Sequence, residues 1–217
     1  MVLNLYPMKT SVLRYLILFS LLLHGAAMLP AQEDTTANWK LEKDKNGIKV
    51  FTRVAEGSKF KEYKSETEIE ASPEKLLEIL LDVEKYPEWM ANVEVADILD
   101  QEGEENYYIY SMVNVPWPFE DRDEVTLSEV RKDSVSGTIT IRIEILPDYI
   151  GETEGVVRIP SGKGLWVFKP LENGKTWVYH QFRGDPGGNI PAWIANMFMV
   201  DGPYKTMIGL QERVSVD

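Results

Sequence analysis

Cysteine is absent from all 217 residues, so no disulfide supports the fold and no lipid-modified cysteine can anchor it. Histidine is nearly absent: His24 lies near the N-terminus and His180 is the only other. With no cysteine, no histidine pair and no HExxH-like spacing, the sequence argues against a zinc site. No Gly-x-Ser-x-Gly elbow offers a nucleophilic serine for His180 to activate. Gly162-Lys163-Gly164 is too short to cradle a phosphate, and it is read as a turn between strands. No catalytic residue, metal or cofactor is therefore expected. Basic residues are also scarce, with 23 Lys and Arg against 35 Asp and Glu, for a formal net charge of −12. Such a surface repels phosphate backbones and anionic headgroups, which argues against nucleic acid and against membrane binding driven by basic residues.

The first 31 residues carry Lys9 and Arg14 but no acidic residue, then the apolar run from Tyr15 to Leu23, then small residues at Gly25, Ala26, Ala27 and Ala31. This order reads as a secretory signal peptide, cut after Ala27 or Ala31. The apolar run is shorter than the roughly 20 residues that span a bilayer, and a retained N-terminal anchor is the alternative. An exported protein, periplasmic or secreted, is expected. Residues 32–38 read as a polar, disordered linker, and 39–217 as one domain with a single core.

Within that domain, Asn46-Gly47 marks a turn after Trp39 and Leu41, which anchor a short helix or an extended lead-in. Alternation over Ile48–Thr52 and Phe60–Glu70 predicts two strands in a hairpin. Ser72-Pro73-Glu74 is a helix start, and Leu76, Leu77, Leu80 and Val83 give that helix a buried face ending near Asp82. Seven further strands follow, over 93–99, 106–114, 120–130, 138–146, 154–160, 165–171 and 176–183. The strongest alternation is Ile139, Ile141, Ile143 and Ile145 against Thr140, Arg142 and Glu144, which makes one face of that strand apolar and the other wet.

The turn-rich segment from Asp185 leads into a terminal helix, with Pro191 suited to its first position. Trp193, Met197, Val200, Tyr204, Met207, Leu210 and Val214 recur at spacings of three and four, which puts them on one face. Gly202-Pro203 interrupts the pattern and reads as a static bend or as a hinge for ligand entry. The element order predicts an α+β fold: a curved antiparallel sheet wrapped around a long C-terminal helix.

Six segments in this order carry a resemblance: GIKVFTR from Gly47, YPEWM from Tyr86, PWPFEDRDEV from Pro116, GVVRI from Gly155, GLWVFKP from Gly164 and DPGGNIPAWIAN from Asp185. Together they resemble a START domain, the StAR-related lipid-transfer module of the helix-grip superfamily. The resemblance implies a cavity between sheet and terminal helix that takes one lipid or other hydrophobic small molecule without covalent chemistry. It matches Arg122 and Asp123 to the family's Arg-Asp pair and Arg158 to its Val-x-Arg position. It matches Asp185, Gly188, Pro191 and Asn196 to the turn-and-helix signature. Several animal members place an arginine inside the cavity where this chain has Ser128.

On this reading the candidate ligand-binding residues are Trp89, Tyr108, Tyr110, Trp117, Arg122, Asp123, Arg158, Trp166, Tyr179, Trp193, Met197 and Tyr204. The aromatic residues serve equally as core filling. Arg122 and Asp123 are adjacent on a strand and point to opposite faces. Alternation groups Asp123 with Val125 and Leu127, whereas the Ser128 position sends Arg122, Glu124, Thr126 and Ser128 inward; resemblance favours Arg122. Arg122 or Arg158 then orients a polar head, and the loops 116–120 and 147–153 with the helix from Ile190 form the mouth. A monomer in transient contact with a membrane is expected. An enzyme of the same superfamily, using Asp123, Glu144 or His180, is the second reading. A protein-interaction module with a filled groove is the third.

Overall fold

In the computed structural model of the protein, residues 38–216 are described. The signal peptide expected over 1–31, and the 32–38 linker up to its last residue, lie outside the described residues. Strand β1 (Lys40–Lys45) turns through Asn46 and Gly47, both at positive φ, into β2 (Ile48–Val54). Of the two alternatives for the segment at Trp39 and Leu41, a short helix or an extended lead-in, the structure takes the extended one: Leu41 lies in β1, an additional edge strand. Strand β3 (Lys61–Ile69) follows, then helix α1 (Pro73–Leu81). Ser72 caps α1 by accepting a 3.2 Å hydrogen bond from the Lys75 amide, and Pro73 stands where no amide is needed. A 3-10 turn (Val83–Lys85) and the single-turn helix α2 (Tyr86–Trp89) lie beyond, tied back where the Tyr86 hydroxyl donates to the Leu80 carbonyl at 2.7 Å.

The remaining strands are β4 (Val93–Glu102), β5 (Asn106–Val113), β6 (Arg122–Lys132), β7 (Ile139–Ile145), β8 (Val157–Arg158), β9 (Ser161–Pro170) and β10 (Thr176–Asp185), before helix α3 (Ala192–Val216). Sheet order is β1-β2-β3-β10-β9-β7-β6-β5-β4, an open antiparallel sheet to which the short β8 adds by parallel pairing with β6. The long strand expected over 154–160 is thus only two residues. The turn read at Gly162–Gly164 lies inside β9 instead. A Cβ on Gly162 would come within 2.6 Å of Ile145 and 2.9 Å of Phe182, so these glycines allow the Phe182 ring to lie across the strand.

Register determines which side chains share a face. Ile141 of β7 pairs with Val130 of β6 and with Trp166 of β9, and Trp166 pairs with His180 of β10. Directly paired residues point to the same side, so the isoleucine stripe read from sequence extends across four strands. The core is built on this side: Ile139, Ile141, Trp166, Phe168, Val178, Leu76, Met207 and Leu210 are each at most 1% exposed.

Helix α3 begins one residue after Pro191, whose carbonyl accepts from Ile194 and Ala195. Asn196 accepts the Lys61 amide at 2.8 Å and Gln211 donates to Thr67 at 3.1 Å, which fixes α3 along β3. At Gly209 the helix lies so close to α2 that a Cβ would stand 2.1 Å from the Trp89 carbonyl oxygen. Only the C-terminal half of the expected apolar stripe is buried. Met207 and Leu210 are in the core, whereas Trp193 and Met197 are 67% and 64% exposed. Periodicity identifies a helix face, but the core lies beneath only part of its length. Among the described residues, no helix is long and apolar enough to cross a membrane.

Candidate functional site

Beneath α3 the inner face is not filled. A cavity of about 270 Å³ lies between the sheet, α1, α2 and α3. Its apolar wall comes from Leu80, Leu81 and Met90 on the α1 and α2 side, Ile141, Ile143 and Trp166 on the sheet, and Phe198, Gly202 and Pro203 on α3. Pro203 has no amide to donate, so the Met199 carbonyl loses its usual helical partner at the point where α3 passes over this space.

A polar patch lines the same cavity: Tyr63, Ser111, Glu124, Thr126, Ser128 and His180 from the sheet, with Thr206 from α3. Alternation on β6 brings in Glu124, Thr126 and Ser128 together, and pairing confirms the side, since Ser128 is opposite Ile143 and Glu124 is opposite Ser111. The His180 ring stacks on Trp166 with centroids 3.7 Å apart and meets Tyr63 edge-on. The Tyr63 hydroxyl is 3.3 Å from both ring nitrogens of His180. Burial lowers the His180 pKa to about 3, which leaves the ring neutral.

Glu124 has the opposite fate. Burial raises its pKa to about 7; the Ser111 hydroxyl, donating at 3.3 Å, opposes the rise, and the neighbouring Asp123 charge adds to it. Burial, and secondarily the Glu124 charge, raises the Tyr63 phenol well above its ordinary value. No Lys or Arg is among the described residues lining this cavity.

The two arginines expected to orient a polar head are elsewhere. Arg158 sits on the outer face, 6% exposed, where its Nε and Nη2 grip both oxygens of Asp123 at 2.8 and 2.9 Å. Its remaining donors reach the carbonyls of Pro147, Ile150 and Gly151, and Thr153 donates to Asp123 at 3.0 Å. The parallel β6–β8 pairing puts Asp123 directly beside Arg158, so both leave the cavity for the underside of the 147–153 loop. Arg122 is on the inner side but beyond the cavity. It lines a neighbouring space of about 130 Å³ with Val113, Ile159, Ile190 and Phe198, and donates to the carbonyls of Glu120 and Pro186.

A model of the START domain family matches residues 27–206. The chain belongs to the START domain family. An uncharacterised Pseudomonas aeruginosa protein is 36% identical over 80% of this chain and 85% of its own length. Human phosphatidylcholine transfer protein is 27% identical, over 76% and 78% of the two chains. The crystal structure of a STAR-related lipid transfer protein from Xanthomonas axonopodis, 34% identical, superposes with a TM-score of 0.76 over 82% of this chain and 99% of that one. The fold is the START helix-grip: a curved antiparallel sheet closed by its C-terminal helix.

Of the twelve residues proposed from sequence for this START domain, Trp166 lines the main cavity and Arg122 the neighbouring space. Trp89 is buried core, with its ring edge-on to Tyr86. Tyr108 stacks on Tyr149 outside the sheet, Tyr110 shares the face of Asp123, and Tyr179 donates to Gln181 at 2.6 Å. Tyr204 accepts from Asn46 at 3.1 Å beneath the Lys43 ammonium. Trp117 is 91% exposed, and Trp193 and Met197 also face outward. Each misplaced aromatic on a strand alternates with the residue that faces in: Tyr108 with Ile109, Tyr179 with His180. Ser111 and Tyr63 were not among the candidates; neither was Glu124, although the Ser128 position had already turned it inward, and pairing β6 against the isoleucine stripe of β7 agrees.

Proposed function

We propose that this START domain holds one hydrophobic small molecule, a lipid in the broad sense, in the cavity under α3 and carries it without covalent chemistry. The observation that carries the reading is unfilled, largely apolar space beneath the helix, lined by a small polar patch that can orient a guest. Burying ligand surface there drives binding at roughly 25 cal/mol per Å² of apolar area. The named relatives include a phosphatidylcholine transfer protein, which supports carriage over catalysis. The enzyme reading draws support from one feature, the raised pKa of Glu124 in a cavity. Among the described residues no second acid or base is hydrogen-bonded to that carboxyl, and the neutral His180 ring is engaged with Tyr63 and Trp166.

A membrane-facing end belongs to the same proposal. Val115 and Phe119 pack with Ile190, Ala192, Ile194 and Ala195, which joins the 116–120 loop to the start of α3. Around this join Trp117, Trp193 and Met197 are left exposed. Such a patch suits brief insertion at a lipid interface, where aromatic rings are favoured. Export follows from the residue order of the N-terminal segment, and cell fractionation tests it.

Thermal-shift measurements across a panel of hydrophobic compounds test the binding proposal. Stabilisation by some of the panel, abolished by Ile143→Trp, which fills the cavity, is the expected result. An Ile143→Trp variant that folds and binds as well as the parent would contradict the assigned site.

A further inference from the structure

Glu124 is an acid placed in a greasy space that no Lys or Arg among the described residues lines. The groups that face it are the Ser111 hydroxyl on β5, which donates to it at 3.3 Å, the Tyr63 phenol on β3 and, beyond Tyr63, the neutral His180 ring on β10. On its own strand, Asp123 points to the other face, where Arg158 neutralises it. Arg122, two residues away on the inner side, spends its donors on the carbonyls of Glu120 and Pro186 in the neighbouring space.

We propose that Glu124 is the recognition group of the cavity, selecting hydrophobic molecules whose buried end carries a hydrogen-bond donor, a hydroxyl or an amine, and refusing a carboxylate or phosphate at that depth. The inference rests on the binding function proposed above and names the ligand class that this site accepts. A carboxylate is an acceptor only, and a carboxylic acid keeps an acceptor oxygen beside its O–H, so a donor on the ligand finds an acceptor on Glu124 in either state. Once Glu124 is ionised, a ligand carboxylate or phosphate offers it no donor and adds a like charge in low dielectric, so the anion is refused above the carboxyl's pKa. The polar residues beside Glu124 are hydroxyl-bearing, Ser111, Thr126 and Ser128, and add no positive charge. The burial-raised pKa of Glu124 brings this choice into the neutral range, with an amine gaining most once the carboxyl is ionised.

The test measures binding of dodecanol, dodecylamine and dodecanoate, which share one chain and differ only at the head, to the full-length protein at a pH above 7. Dodecanol and dodecylamine are expected to bind about tenfold or more tightly than dodecanoate, a factor that corresponds to one unpaired buried group. Glu124→Gln keeps the shape and an acceptor but removes the charge. It is expected to leave dodecanol within about threefold, weaken dodecylamine about tenfold and strengthen dodecanoate about tenfold. Dodecanoate binding the parent protein as tightly as dodecanol, or Glu124→Gln changing none of the three, overturns the selectivity while leaving the binding function in place. If none of the three binds and Ile143→Trp is indistinguishable from the parent across the hydrophobic panel, the binding function itself fails, and the selectivity with it.

Discussion

Asp123 and Glu124 are consecutive carboxylates on one strand, yet they occupy opposite chemical worlds. Asp123, on the outer face and fully buried, has a bidentate arginine, a threonine hydroxyl and a capping loop arranged around its charge. Glu124, on the inner face, has a hydrogen bond from the Ser111 hydroxyl, with the Tyr63 phenol and the unfilled cavity beside it. The pKa directions follow: Arg158 holds Asp123 below the ordinary carboxylate range, while burial lifts Glu124 to about 7. One side of the sheet is finished as structure; the other is left incomplete at the point where a guest would complete it. Strand alternation alone separates the two roles, and no difference in residue chemistry is needed.

The strongest way to break this contrast is to strip the outer acid of its partner. Arg158→Ala leaves a buried, unpaired Asp123 and three loop carbonyls without donors, so a loss of about 3–5 kcal/mol is expected by urea unfolding. Asp123 should also titrate with a stability slope opposite to that of Glu124. Its lowered folded pKa makes its contribution full above the ordinary value of 3.8 and lost as pH falls through the folded pKa. Glu124 has a folded pKa raised from 4.5 to about 7, so the folded state retains its proton more firmly, and stability declines as pH rises through that window. Glu124→Gln is therefore expected to gain on the order of a few kcal/mol above pH 7 and nothing near pH 4, measured as melting temperature against pH.

Ser128→Arg sharpens the comparison by giving the inner face the cation it lacks. Placed on the same side of β6 as Glu124, the guanidinium is expected to lower the carboxyl pKa by about one unit, read by carbon NMR of the side-chain carboxyl. The smallest effect on stability belongs to a site on neither face. Trp193→Ala is expected to change unfolding free energy by less than about 0.5 kcal/mol, while reducing co-flotation with neutral phosphatidylcholine vesicles. Unchanged flotation would remove α3 from the proposed membrane-facing end.

The fold was legible where one residue type has one physical meaning. Ser72-Pro73 starts α1, Asn46-Gly47 turns β1 into β2, and the alternating isoleucines of β7 mark the buried side. The site was less legible, because its members are defined by register. Whether Arg122 or Asp123 turns inward is decided by which residues of β7 and β8 lie beside β6, and those pairings are long-range facts. Aromatic identity misled for the same reason: Tyr108, Tyr110 and Tyr179 are large and apolar enough for a cavity but fall on the outer parity of their strands. The helical stripe misled differently. Trp193 and Met197 obey the spacing of Met207 and Leu210, but lie on the stretch of α3 where that face meets solvent. Glycines 162 and 164 resemble a turn until Phe182 is seen to need their missing side chains.

The central claim, that the space under α3 carries a hydrophobic molecule with a donor at its buried end, is tested most directly by native mass spectrometry of the protein purified from the cells that produce it. The expected result is a one-to-one adduct that is released on unfolding and identified as an apolar compound bearing a hydroxyl or amine, and that is absent from Ile143→Trp. Protein recovered empty in every preparation, or an adduct that persists unchanged in Ile143→Trp, would contradict it.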